Sequence, residues 1–182
     1  MPANKTILVV EDNEINRLML SELLSLEYTV LEAENGQQAL DVLEKRKDEI
    51  SLILLDITMP VMDGYTFLSI AKADPALASI PVIVTTQSDS EADEVAALSH
   101  GATDYVAKPY KPQIIRHRVA SIIHLRETAA MINQFQYDRL TGLYSKEFFY
   151  QRVRETLRQN PGRNYYVICS DTVSYTHLRA HE

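Results

Sequence analysis

Along the first 124 residues, short apolar runs alternate with longer stretches in which apolar residues recur every three or four positions. The runs are Thr6 to Val10, Thr29 to Ala33, Leu52 to Leu55, Val82 to Val84 and Tyr105 to Ala107. They predict strands, and the stretches between them predict helices, so the pattern is a βα unit repeated five times. Ile7-Leu-Val-Val10 and Leu52-Ile-Leu-Leu55 are apolar at every position rather than at alternate ones. Strands of that kind belong in a parallel sheet covered by helices on both faces. With right-handed crossovers the expected architecture is a three-layer α/β sandwich.

After Pro112 the period becomes purely helical. Ile115, Val119, Ile122, Leu125, Ala129 and Ile132 draw one apolar stripe that continues past the point where a fifth covering helix needs to stop. Such a stripe either folds back on its own domain or pairs with the same stripe of a second protomer. At about three heptads it is too short to stand alone as an isolated helix.

Composition refines this picture in three ways. The 182 residues, 46% hydrophobic and 24% charged, are ordinary for a globular chain. No apolar run is long enough to span a bilayer, and the acidic first twenty residues do not resemble a secretory leader, so a cytoplasmic location is expected. The single cysteine, Cys169, has no partner for a disulfide or a thiolate metal site, which fits a reducing compartment. Charge is uneven: up to Tyr110 there are 7 Lys and Arg against 19 Asp and Glu, and beyond it 11 against 6, giving −12 and +5. Two different modules follow. The basic residues of the second half are scattered on helical patterns rather than clustered, which argues against nucleic-acid binding.

In open α/β sheets ligands bind beyond the carboxyl ends of the strands. The residues there are Glu11-Asp12 after the first run, Asp56 after the third, Thr86 after the fourth and Lys108 after the fifth. Each has an ordinary alternative: Asp12 or Asn13 as a helix cap, Asp56 as a turn cap, Thr86 as a strand-end hydroxyl, Lys108 as a solvated charge. Together they form a functional set. Three carboxylates at one edge repel one another, and a hard cation taking oxygen ligands relieves this, magnesium above all. A cation, a hydroxyl and an ammonium around one carboxylate make a cradle for phosphoryl transfer, with Asp56 as nucleophile.

These residues, in the segments Leu54-Leu-Asp56-Ile-Thr-Met-Pro-Val-Met-Asp-Gly64, Pro81-Val-Ile-Val-Thr-Thr86 and Gly101-Ala-Thr-Asp-Tyr105-Val-Ala-Lys108-Pro109, resemble a bacterial response-regulator receiver domain over about residues 4–124. The resemblance implies the flavodoxin-like strand order 2-1-3-4-5. It implies a sensor histidine kinase or phosphotransfer protein as donor of the phosphoryl group to Asp56, and Mg2+ held by Glu11, Asp12, Asp56 and the backbone carbonyl of Thr58. It assigns Thr86 and Lys108 to the phosphoryl oxygens and makes Tyr105 a switch that responds to Thr86. Thr86 is preferred to Thr85 because it falls at the strand's end. The Lys108-Pro109 bond is a candidate cis peptide.

From Tyr137 the segment Asp138-Arg-Leu-Thr-Gly-Leu143, with the amphipathic stretch through Leu157, resembles the opening of a GGDEF (diguanylate cyclase) domain, although Ser145-Lys146 stands where Asn-Arg is usual in that family. The resemblance places a first core strand at Tyr165 to Cys169 and a metal-binding carboxylate at Asp171. The last ten residues, Val173 to Glu182, resemble a translated sequencing-adapter end, so His177 and His181 are not read as a metal pair. The expected organisation is a receiver (1–124), a helical linker (125–136), an N-terminal GGDEF fragment (137–172) and an adapter-derived tail (173–182).

The expected function is a phosphorelay regulator in which phosphorylation of Asp56 drives homodimerisation and controls a cyclic di-GMP output. GTP would be a substrate only of the full-length parent, not of this chain. The alternatives are a receiver governing a degenerate GGDEF and an EAL phosphodiesterase, or a DNA-binding transcriptional regulator. A haloacid-dehalogenase-type phosphatase is disfavoured because Thr58 stands where such enzymes carry a second aspartate.

Overall fold

The computed structural model describes residues 5–87, 90–138, 140–166 and 168. The chain divides into two compact units, Met1–Ala129 and Ala130–Glu182.

The first unit contains β1 (Thr6–Val10), α1 (Glu14–Ser25), β2 (Thr29–Ala33), α2 (Gly36–Arg46), β3 (Ile50–Asp56), α3 (Gly64–Ala73), β4 (Val82–Thr86), α4 (Glu91–Ser99) and β5 (Asp104–Ala107). Helix α5 (Pro112–Gln136) follows. All strand pairs are parallel, in the order β2-β1-β3-β4-β5, as the resemblance implied. Successive side chains of one strand enter opposite cores. Leu8, Val10, Ile53 and Leu55 pack with Ala39, Leu43, Phe67 and Leu68 of α2 and α3. Ile7, Val9, Leu52 and Leu54 pack with Leu20 and Leu24 of α1 and with Ile115, Val119, Ile122 and Ile123 of α5. That period of two is why the central strands are apolar throughout.

Strand β3 is longer than its apolar run at both ends, because the ladder pairs Ile50 with Thr6 across a register shift and continues through the main chain of Asp56 whatever its side chain. Asp56 therefore sits on the last rung, in register with Thr85. Asn13, not Asp12, caps α1: its side chain accepts from Asn16 N at 3.0 Å. Asp63 caps α3 in the same way, accepting from Thr66 N at 2.8 Å.

The long stripe divides in two. Ile115, Val119 and Ile122 are buried in their own domain, whereas Leu125 and Ile132 are 67% and 51% exposed. Arg126 marks the changeover by donating to the carbonyls of Ile50 (3.2 Å) and Ser51 (2.8 Å). No helix among the described residues is long and apolar enough to cross a membrane.

In the second unit, Tyr137 and Tyr144 form an isolated antiparallel bridge around a tight turn. The Asp138 carboxylate accepts from Leu140 N (3.1 Å), Thr141 N (2.9 Å) and the Thr141 hydroxyl (2.8 Å). Gly142 takes the left-handed conformation, with φ of 69°. Helix α6 (Lys146–Gln159) is capped by Ser145, which accepts from Phe148 N at 3.2 Å. Among the described residues of this unit none is buried. The strand expected at Tyr165 to Cys169 does not appear at Tyr165, Tyr166 or Ile168. Cys169, Asp171 and the expected tail from Val173 lie outside the described residues.

Candidate functional site

The parallel register brings the ends of β1, β3, β4 and β5 to one edge, where the residues after each strand line an open cleft of about 670 Å3. Asp56 lies at its base, only 2% exposed. Its Oδ2 accepts from Lys108 Nζ at 2.8 Å, and its Oδ1 faces Thr58 N at 3.4 Å. Glu11, 1% exposed, is held at both oxygens: Oε1 by Asn16 Nδ2 (3.2 Å) and Lys108 Nζ (3.1 Å), Oε2 by the Tyr110 hydroxyl (2.6 Å). Asp12 is exposed at the rim. One oxygen from each of Glu11, Asp12 and Asp56 lies within 4.8 Å of the others.

Lys108 reaches this cluster because its main-chain N–H donates to the Thr86 carbonyl at 2.7 Å, fixing the end of β5 beside that of β4. The Lys108-Pro109 bond is cis. Behind Asp56 the N-terminus of α3 closes in, with Gly64 N donating to Ile57 O at 2.9 Å. A Cβ at Gly64 would stand 2.4 Å from the Asp56 carbonyl oxygen and 2.8 Å from Ile57 Cα, so only glycine fits.

Burial pushes the Asp56 carboxyl above its usual range, and the charge of Glu11 adds to this against the pull of Lys108. Burial works against the Lys108 ammonium, but its hydrogen bonds to Asp56 and Glu11 outweigh that and raise its pKa. Burial, and then the bond to Glu11, raise the Tyr110 hydroxyl, which stays a neutral donor. The three carboxylates supply hard oxygen ligands at mutual distances that one small cation spans, so the residues fit magnesium.

The sites expected from sequence therefore converge, with Glu11, Asp12, Asp56, Thr58 and Lys108 lining one cleft. Thr86 is the last residue of β4 and half-buried, whereas Thr85 is buried with its hydroxyl 3.0 Å from that of Tyr110. Tyr105 is half-buried, donates to Glu94 Oε2 at 2.7 Å, and carries the Arg118 guanidinium 5.8 Å from its ring centre. Two contributors were not read from sequence. Tyr110 follows a proline and passes for a packing aromatic. Arg17 carries a signal that could have found it, since a charge at the inward spacing of Leu20, Ser21 and Leu24 needs buried partners.

The model of the response regulator receiver domain family matches residues 7–120. The chain is 34% identical over 140 residues to the alkaline phosphatase synthesis transcriptional regulatory protein PhoP of Bacillus subtilis, covering 76% of this chain and 57% of that protein. It is 35% identical over 133 residues to a probable cyclic di-GMP phosphodiesterase of Vibrio cholerae, covering 72% of this chain and 30% of that one. The chain thus spans about half or less of these relatives' lengths. Among solved structures it is similar to the receiver domain of a sensor histidine kinase from Pseudomonas aeruginosa PAO1, with a magnesium ion coordinated in its active-site cleft. That match has 32% identity and a TM-score of 0.61, covering 67% of this chain and 99% of that one. With the cleft at the strand ends and the family match over most of the first unit, the chain belongs to the response regulator receiver family of two-component systems.

Proposed function

We propose that Asp56 is the phosphoacceptor, taking its phosphoryl group from a phosphohistidine of a sensor histidine kinase or phosphotransfer protein. The observation that carries this reading is a buried carboxylate at the base of an open cleft, ion-paired to Lys108 and clustered with two further carboxylates. An Asp56 oxygen attacks phosphorus, the P–N bond breaks as the P–O bond forms, and the imidazole leaves and takes up a proton. Lys108 opposes the effect of burial on the Asp56 carboxyl and then neutralises a phosphoryl oxygen, while the Thr86 hydroxyl binds another. Glu11, Asp12, Asp56 and the Thr58 carbonyl would hold Mg2+, which supplies charge neutralisation to the transferring group.

The signal passes from Thr86 to Tyr105, whose bond to Glu94 ties β5 to α4. It is read out as homodimerisation along α5, on which Leu125 and Ile132 are exposed. The output is of the cyclic di-GMP class, supported by the Asp138-Arg-Leu-Thr-Gly-Leu143 turn and by the phosphodiesterase relative. GTP is a substrate only of a complete GGDEF domain, with Asp171 among its metal ligands. A transcriptional output is the second reading, favoured by the Bacillus subtilis relative.

Intact-protein mass spectrometry with acetyl phosphate tests the assignment. One phosphoryl group is expected, dependent on Mg2+ and abolished in Asp56→Asn; equal labelling of that variant, or labelling undiminished by chelator, would refute it. Light scattering with a beryllofluoride mimic should show a shift from monomer to dimer.

A further inference from the structure

Glu11 and Asp12 sit on an irregular loop between β1 and α1, which by itself does not hold two carboxylates at a set separation. The loop is fixed from beneath by one side chain. Arg17, on the inward face of α1 and buried, sends its guanidinium to four acceptors on two chain segments. Nη1 donates to the main-chain carbonyls of Glu11 (2.8 Å) and Asp12 (3.3 Å). Nε donates to the Glu32 carboxylate and Nη2 to the Glu34 carboxylate, both at 3.3 Å. Glu11 N also donates to Ala33 O at 3.1 Å, so the same loop is tied twice to the end of β2. A planar fork of fixed donors reaches these divergent acceptors at once, and a lysine ammonium does not.

We infer that Arg17 is a positioning residue for the divalent-cation site: it clamps the main chain of Glu11 and Asp12 against the end of β2, so their carboxylates are set before a cation arrives. This rests on reading the cleft as a cation-dependent phosphoryl acceptor. Arg17 touches neither cation nor phosphoryl group. Its action runs through the backbone of two ligands, as outer partners of metal ligands commonly act.

The test is titration of the full chain with Mn2+, followed by electron paramagnetic resonance of the free ion, with metal-free unfolding midpoints measured alongside. Arg17→Lys keeps the charge and loses the fork, and its Kd for Mn2+ should rise roughly tenfold. Where that variant fails to fold, the double variant Glu32→Gln, Glu34→Gln removes the exposed anchors and leaves Arg17 in place. It should weaken Mn2+ binding in the same direction by a smaller factor, and the loss should persist at about 0.5 M salt, where distant charges are screened. A lowered midpoint with the parent's Kd would make Arg17 purely structural and overturn the inference. A loss of affinity that vanishes at high salt would do the same. A parent chain that binds no Mn2+ would instead overturn the cation-dependent reading on which the inference stands.

Discussion

The two compact units differ in where their apolar side chains go. In the first, Phe67, Leu52, Leu54 and Val119 are fully enclosed between helices and a five-stranded sheet. In the second, α6 has a serine cap and the Asp138 turn has three donors on one oxygen, yet Leu140 is 96% exposed and no described residue is buried. Local signals are therefore well satisfied in both. Burial is satisfied in only one, because caps and turns are met by a few neighbouring residues whereas a core needs layers on both sides.

The sharpest probe of that contrast is one residue type in two settings. Phe67→Ala should cost about 3–5 kcal/mol, since it removes an enclosed ring and leaves a cavity. Phe149→Ala on α6 should stay within about 0.5 kcal/mol of the parent in the same urea titration. Comparable losses would break the comparison by showing that α6 is enclosed in solution.

A second, smaller effect should be confined to the first unit. A ligand that binds only the folded state at a hundredfold excess over Kd stabilises it by about 2.7 kcal/mol. Mg2+ should raise the unfolding midpoint of the first unit accordingly, and Asp12→Ala should blunt the rise. An Asp12→Ala chain responding as strongly as the parent would remove Asp12 from the cation site.

The smallest effect belongs to the second unit. The Thr141 hydroxyl, then the amides of Thr141 and Leu140, hold the Asp138 carboxyl below its usual value. The turn is accordingly at full strength above the ordinary aspartate pKa of about 3.9 and weakens as pH falls through the lowered folded value. A carboxyl NMR titration should find Asp138 below that reference; a value at or above it would mean that the turn does not persist.

These contrasts also show what the sequence makes legible. Strand identity was accessible because β1 and β3 are buried on both faces, which leaves no polar alternation in Ile7 to Val10 or Leu52 to Leu55, whereas the strand order came only from the resemblance to receiver domains. The candidate carboxylates and Lys108 were accessible because each stands at or just past the carboxyl end of a strand. The end of the buried stripe was not. Ile122 and Leu125 have similar hydropathy, and what separates them is where the sheet stops, a property of the tertiary structure. Tyr110 was hidden for a related reason: its partner Glu11 is 99 residues away, so nothing local distinguishes its hydroxyl from that of an ordinary packing tyrosine. Arg17 joins residues on α1, the β1–α1 loop and β2, which only the folded register brings together.

The absence of a side chain at Gly64 has a bearing on how far this scaffold can be redesigned. Its neighbours at 2.4 and 2.8 Å are the main chain of Asp56 and Ile57, not the yielding end of a side chain. Repacking the surroundings therefore creates no room at position 64, and any larger residue there must displace the backbone that carries the Asp56 carboxylate. For combinatorial libraries, positions 56 and 64 form one unit, inherited together: variation at the second is read out as misplacement of the first.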